Sequence, residues 1–591
     1  MSAVPRLPFA ATLLFACLFA VTLTSAAPDD QTHGFSNAGS DTWAATDGLG
    51  RPVADAALAG PPQPDRVVGI FYFLWTGGIP KVYDNTKILA ADPDHPAWGP
   101  VGSWHYWGEP FFGYYHPEDP WVIRKHAQML VDAGVDVIIC DATNALTYPN
   151  VCRAICEVYT QMRAEGLRTP QIAFILHSKT GRTAQKLYDE FYGANVSPEL
   201  WFRWLGKPLL LAKPGEVPSG IRDFFTLRES WAWTMDPRGW FGDGRDKWPW
   251  LDHTPQKYGW HDNKDTPEEL TVAVAEHPVS NLGRSHRDGK EPSADRQTPE
   301  KGIYFDEQFA QALKVKPQFL FLTGWNEWIA TRFVSNTGQT FLGKKLPPGG
   351  SFWVDEYNQE YSRDIEPQRG HFEDNYYYQM VSNIRQFKGV RPPPAPTATK
   401  TIRFLDDWQD VGPEFLDDAG DTAARNSPGN GGEVYVNTEG RNDIVRAKVA
   451  RDASTVWFYV ETKAPLTPPK GPHWMQLLIN SDRQAATGWF GYDYVVNRLP
   501  GDGSGAVLER YDAGTRTWRD PVRVPLRLSD NRLYVGVPRA AVGGFAKRLN
   551  FEFKWADNVP LETMKSAAEF MEHGDVAPNA RFNYVFAEPS P

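Results

Sequence analysis

Cysteine is scarce: the 591-residue chain has four. One lies in the apolar N-terminal segment, leaving Cys140, Cys152 and Cys156, an odd number without framework spacing, so disulfides are not the source of stability. Cys152 and Cys156 stand one helical turn apart and read as small buried hydrophobes, because no matching His/Cys pair follows. Positive charge is short as well, 61 Lys and Arg against 72 Asp and Glu for a net −11. With no basic stripe, nucleic acid is not an expected partner, and an electrostatically steered acidic substrate is disfavoured. Past the N-terminal segment no hydrophobic run is long enough to span a bilayer. No Gly-rich phosphate loop follows the first strand, so no nucleotide cofactor is indicated, and no His-Glu-x-x-His or comparable spacing marks a catalytic metal. There is no internal repeat.

Aromatic residues, by contrast, are abundant: 23 Trp, 23 Tyr and 33 Phe. That load exceeds what a core usually asks for and is common in proteins that grip sugars, with a tryptophan-rich core as the alternative. Residues 1–27 read as a secretory signal, with Arg6 before an apolar run and Ser25-Ala26-Ala27 as the cleavage site. The expected location is secreted, periplasmic or cell-surface, without stable membrane insertion after signal removal.

Length argues for more than one core. Residues 28–65 form an extended lead-in. From 66 to 390, buried-strand runs alternate with helical spacing: strands at 67–75, 135–141, 171–177, 208–212, 223–231, 270–276 and 318–325, and helices at 121–133, 151–165, 183–192, 307–315 and 375–387. This α/β pattern predicts a (β/α)8 TIM barrel. A doubly wound open sheet is the runner-up. A Pro-rich linker at 391–401 leads to residues 402–591, where short alternating runs between Gly, Asp and Asn turns predict an all-β sandwich.

The run Phe319-Leu320-Phe321-Leu322-Thr323 ends in Gly324-Trp325-Asn326-Glu327-Trp328. In a barrel, chemistry sits at the C-terminal ends of the strands, which makes Glu327 the leading candidate for a catalytic carboxylate. Glycosidic cleavage needs a second acidic group. Asp141, closing the strand at 135–141, and Glu366 are the nominated partners; Asp141 serves equally as a turn cap. Glu229, Glu276, Asp355 and Glu356 are weaker candidates. Substrate-binding candidates are Tyr72 and Trp75 at the end of the first strand, Trp107 in the aromatic loop 98–121, His177 at a strand end, and Trp325, Asn326 and Trp328 around the acid.

Trp325-Asn326-Glu327-Trp328 resembles the Asn-Glu-Trp signature of the glycoside hydrolase family 99-like group, which includes endo-α-mannosidases. The resemblance implies a barrel acting on glycans, with Glu327 matching the family's first catalytic glutamate. The second, three residues on, falls at Ala330, and the Ile-Glu-Pro turn of the family is found at Ile365-Glu366-Pro367 after an insertion. In the C-terminal region, the segment 474–482 followed by Ala486-Thr487-Gly488-Trp489 resembles family 9-type carbohydrate-binding modules. No cofactor is expected, although Asp482 there is a candidate for a structural calcium. The leading expectation is a secreted glycoside hydrolase whose partner is a carbohydrate substrate. The alternatives are a non-catalytic carbohydrate-binding or cell-surface protein, and a transferase of extracellular polysaccharide assembly.

Overall fold

The computed structural model describes residues 37–74, 77–499, 505–546 and 548–589. The signal segment at 1–27 and Trp75 therefore lie outside the described residues. Among the described residues no helix is long and apolar enough to cross a membrane.

Seven parallel strands organise the first part of the described chain: β1 (Val67–Tyr72), β2 (Val137–Ala142), β3 (Gln171–Leu176), β4 (Lys207–Leu211), β5 (Thr226–Arg228), β6 (Glu269–Ala273) and β7 (Phe319–Thr323). Their order in the sheet is β5-β4-β3-β2-β1-β7-β6. Both faces of these strands are apolar, as a sheet covered on both sides requires. One set of alternate residues, including Phe71, Ile139, Ile175, Leu211 and Phe321, meets Trp248 in an inner cluster. The other set, including Ile70, Tyr72, Cys140, Phe174 and Leu322, packs in the large outer cluster with helical residues. The helices are α1 (Pro120–Ala133), α2 (Pro149–Ala164), α3 (Thr180–Leu187), α4 (Ile303–Val315) and α5 (Asn375–Lys388). Asp119 caps α1 by accepting from the Trp121 and Val122 N–H groups, with Pro120 in the first turn and Gly134 in the left-handed conformation at the end.

The expected eightfold ring is not closed by strand pairing. Between β5 and β6 the chain runs through residues 229–268 with isolated bridges only: Glu229 to Lys247, Ala232 to Leu251, Arg245 to Trp260, and Gly259 to Glu269 at the start of β6. That stretch is rich in Trp, Asp, Gly and Pro and has no continuous apolar run, so it cannot supply a two-faced strand. The strand expected at 223–231 shortens to Thr226–Arg228 for the same reason.

Two antiparallel sheets follow. One has the order β8-β9-β10-β16-β15, built from Phe415–Leu416, Ile444–Arg451, Thr455–Thr462, Arg532–Pro538 and Leu526–Ser529. The other runs β14-β13-β12-β11-β17-β18, from Thr517–Val524, Ala506–Asp512, Tyr494–Val496, Gln476–Asn480, Asn550–Asp557 and Asp575–Ala577, with β19 (Tyr584–Ala587) also on β17. They share an apolar filling with Phe458, Phe551 and Phe553 in mutual ring contact. The three described cysteines are buried and free.

The seam between the two parts is polar and well tied. Arg425 pairs with the α1 cap, Nη2 to Asp119 Oδ2 at 2.8 Å, with both side chains nearly fully buried. Arg581 pairs with Asp374 at 2.6 Å.

Candidate functional site

Glu327 follows β7 and is 5 % exposed. Its backbone N–H donates to Asp364 Oδ1, and its Oε2 accepts from Arg363 Nη2 at 2.5 Å. Arg363 is a buried hub: its Nη1 donates to the backbone carbonyls of Glu276 (2.8 Å) and Asp355 (3.2 Å). It thus ties the end of β6 to the end of β7. Glu356 lies 3.1 Å from Nη2 and also accepts from the Arg363 N–H. Asp355, half exposed, places Oδ1 3.9 Å from the same Nη2.

Glu327, Glu356 and Asp364 are thus three buried acids gathered around a single buried guanidinium. Burial pushes the Glu327 carboxyl up to about 8, the charges of Asp355 and Asp364 add to that, and Arg363 opposes it. Asp364 is raised to about 7, first by burial, although Trp107 Nε1–H donates to its Oδ2. Glu356 is raised well above the carboxylate range by burial. Arg284, also buried, acts on Asp364 ahead of Arg363, which leaves Glu327 and Glu356 to compete for the Arg363 charge, and burial holds both carboxyls above the ordinary range.

Around this hub the strand ends present a partly exposed rim. After β5, Trp231 and Trp233 stand two residues apart, both partly exposed, with Trp233 in the left-handed region at φ 53°. His177, after β3, stacks on Trp231 with ring centroids 3.4 Å apart. Trp250 contacts Trp231 at 6.2 Å and lies 5.8 Å from the Arg363 guanidinium. Trp233 contacts His277 at 4.9 Å and His253 at 6.1 Å. His253 Nδ1 lies 2.7 Å from Glu276 Oε1, an oxygen that also accepts from the Tyr304 hydroxyl. Burial alone would raise Glu276, but the hydrogen bonds of His253, Tyr304 and Trp233 hold it below its ordinary value, while that same bond raises His253. Burial lowers His277 and His177 to about 4, helped by the nearby charges of Arg363 and Lys213 respectively, so both rings are neutral donors or acceptors at neutral pH.

The other residues singled out in the sequence occupy different places. Glu366 has a fully buried carboxylate: Oε2 accepts from the Tyr115 hydroxyl (2.7 Å) and Trp328 Nε1 (2.6 Å), and Oε1 lies 3.0 Å from His126 Nε2. Tyr72 sits on the helix-covered face of β1, its hydroxyl 2.9 Å from His126 Nδ1 on α1. It belongs to the Glu366 cluster rather than to the rim, because outward and inward residues alternate along the strand. Asp141 is buried at the end of β2 and accepts from the Thr143 N–H at 2.9 Å, the local turn cap. Trp325 and Trp328 are completely buried, Trp328 stacked on Trp107 at 4.6 Å, so these three indoles pack the barrel top rather than offer a face to a sugar. Asn326 holds β1 to β7, accepting from the Phe73 N–H and donating to its carbonyl. Ala330 is buried in a satellite cluster with Trp353 and Tyr357. Of the leading candidates among the described residues, Glu327 and His177 lie in the Arg363-centred constellation and its rim, and the weaker candidates Glu276, Asp355 and Glu356 join them there. Arg363, Trp231, Trp233, Trp250 and His253 complete that constellation; the spacing of Trp231 and Trp233 after a strand was a readable signal, whereas the others depend on how the loops return.

In the sandwich, Asp482 is exposed and accepts from the Gln484 N–H and the Thr487 hydroxyl, an ordinary turn. Trp489 is half-buried against Phe490, Tyr492, Trp518 and Phe570.

No protein family matches the chain, and no curated protein does. Among solved structures, the chain is similar to the GH99 endo-alpha-mannosidase from Bacteroides thetaiotaomicron, at 15 % identity and TM-score 0.32 over 55 % of this chain and 97 % of that one. The same enzyme in complex with BIS-TRIS-Propane matches at 14 % identity, with the same TM-score and coverage. A glycoside hydrolase-like protein matches at 10 % identity and TM-score 0.30, over 57 % of this chain and 97 % of that one.

Proposed function

We propose that the chain is an exported glycoside hydrolase, with Glu327 as the proton-donating acid and Asp355 as the second carboxylate. The observation that carries the reading is the sharing of one nitrogen. Glu327 Oε2 and Asp355 Oδ1 both approach Arg363 Nη2, at 2.5 and 3.9 Å, so the two oxygens are at most about 6.4 Å apart. Their environments differ in the way acid chemistry asks for: Glu327 is buried and its carboxyl raised to about 8, whereas Asp355 is half exposed. Trp231, Trp233 and Trp250 offer partly exposed indole surface beside the pair, suited to the apolar face of a sugar ring. Glu366 and Asp141 act as positioning groups, since their carboxylates are committed to buried partners and to a turn.

Release of reducing ends from a panel of polysaccharides tests this. On any substrate that is cleaved, Glu327→Gln and Asp355→Asn are each expected to lower kcat by roughly 10²–10⁴, the usual worth of a positioned acid or base. An unchanged rate in Glu327→Gln sinks the assignment. A second reading, a glycan-binding protein without hydrolytic activity, draws on the engagement of Glu327 by Arg363 in a site 5 % exposed. It predicts equal glycan affinity for wild type and Glu327→Gln, with no cleavage by either.

A further inference from the structure

Six aspartates gather where α1 of the first part meets the sandwich: Asp132 on α1, Asp417, Asp418 and Asp421 just after β8, Asp443 before β9 and Asp575 opening β18. Three of them are occupied by neighbours. Asp132 and Asp418 are bridged by the Asn579 amide at 3.1 and 3.2 Å, and Asp443 accepts from the Gly420 N–H with both oxygens. The remaining three converge differently. Asp417, Asp421 and Asp575 each bring one carboxylate oxygen to a common point, all within 4.8 Å of one another.

Each of the three carboxylates keeps at least one buried oxygen without a protein donor. Asp575 is 3 % exposed and gives Oδ2 to the Ile444 N–H at 2.6 Å, which leaves Oδ1 buried and unpartnered. Asp421 is 7 % exposed; its Oδ2 has a long contact from Gln128 at 3.4 Å, and its Oδ1 has none. Both oxygens of Asp417 are buried and unpartnered. Leaving four carboxylate oxygens dry and unmatched is costly, and a buried charge persists only when paired or bound to a metal. The cations nearby do not close the gap: Lys554 spends its ammonium on the Pro578 carbonyl, and Lys125 and Arg124 act on Asp421 only through space.

We propose that Asp417, Asp421 and Asp575 bind one calcium ion that fastens the sandwich to the barrel-like part. The donors are all hard oxygens, and two oxygens on opposite sides of a calcium ion at about 2.4 Å stand about 4.8 Å apart, which matches the span of the cluster. A cavity of about 30 Å³, lined in part by Asp421, Asp575, Gln128 and Asn579, adjoins the site. It has room for about two waters as further ligands beside the carboxylate oxygens. Gln128 brings α1 to the margin of the site, and its amide on Asp421 Oδ2 is the link by which an ion there joins the two parts. The turn at Asp482 lies apart from this cluster and has its own hydrogen bonds.

The test uses the full exported chain, stripped with chelator and titrated with calcium chloride. One tightly held calcium per chain by elemental analysis after desalting, with a rise in Tm of 5 °C or more over the stripped protein, is the expected result. The double variant Asp421→Asn/Asp575→Asn, nearly isosteric with the protonated acids, should fold and lose both the bound calcium and the Tm response, while Asp482→Asn keeps both. Absence of stoichiometric calcium in the wild type, or calcium retained by the double variant, overturns the proposal. If the double variant fails to fold, the wild-type titration together with Asp482→Asn decides: binding that disappears in Asp482→Asn places the ion elsewhere and refutes the site.

Discussion

Replacing Glu327 by Gln tests the electrostatics of the hub without any knowledge of substrate. The amide is a proton-bearing mimic of the acid that cannot ionise. In the folded chain the Glu327 carboxyl titrates at about 8 rather than at the ordinary 4.5, chiefly because it is buried. Between those values the folded state holds a proton that the unfolded state has released. Stability therefore falls as pH rises through that window, is fully present below about 4.5 and is fully lost above about 8. At about 1.4 kcal/mol per pH interval, the ceiling is roughly 5 kcal/mol. Glu356 competes for the same proton beside Arg363, so about half of that, roughly 2–3 kcal/mol, is the expected share of Glu327. Gln carries none of this cost. Losing the Arg363 contact lowers the variant by an amount that does not depend on Glu327 ionisation, so the diagnostic is the slope. The Tm of Glu327→Gln minus that of wild type, measured by differential scanning calorimetry from pH 5 to 9, should rise by roughly 5 °C and level off above pH 8. A difference that is flat across that range, or that falls, refutes the claim that burial keeps the acid protonated near neutrality.

Two further substitutions probe the scaffold. Glu366→Ala leaves the Tyr115 hydroxyl, Trp328 Nε1 and His126 without their buried acceptor, and should cost about 3–5 kcal/mol, read as a fall in denaturant midpoint. A loss of activity with unchanged stability would instead make Glu366 a participant in the chemistry. Gly259→Ala would place a Cβ 1.6 Å from the Lys247 carbonyl, in the irregular segment that takes the eighth position of the ring. A fall of more than about 2 kcal/mol is expected from such a backbone clash, and a neutral variant would show that this segment is free to move aside.

How much of this was legible depends on whether the information was local. The continuous apolar runs at β1 and β7 announced a covered parallel sheet, and strand-end logic found Glu327, because a strand's direction and its C-terminal end are written in a few consecutive residues. The side to which a residue points is less legible when both faces are apolar. Tyr72 and Phe71 are both large and aromatic, yet one meets His126 outside and the other lines the inner cluster. The eighth position of the ring failed as an expectation because residues 229–268 are fixed by isolated bridges and indole packing, which have no periodicity. Arg363 was invisible, and Asp355 only a weak candidate, for a related reason: both lie in the insertion after Trp328, and only the return of that loop brings them to Glu327.

The burial of Trp325 and Trp328 changes what the Trp-Asn-Glu-Trp segment means physically. Two exposed indoles beside an acid would bind sugar and dry the carboxyl only when substrate arrives. The two buried indoles instead turn to His126, Tyr377 and Trp107, and the proton on Glu327 is held by the burial of its own carboxyl beside Arg363. Arg363 limits how far this goes: its charge opposes the burial that would otherwise lift Glu327 further, and its reach to Asp355 keeps the second carboxylate close. On the proposed reading, sugar contact falls to Trp231, Trp233 and Trp250, which belong to the segment without regular strands. The stretch that departs most from the repeating pattern is then, on that reading, the one that selects the glycan, while the regular strands fix the acid.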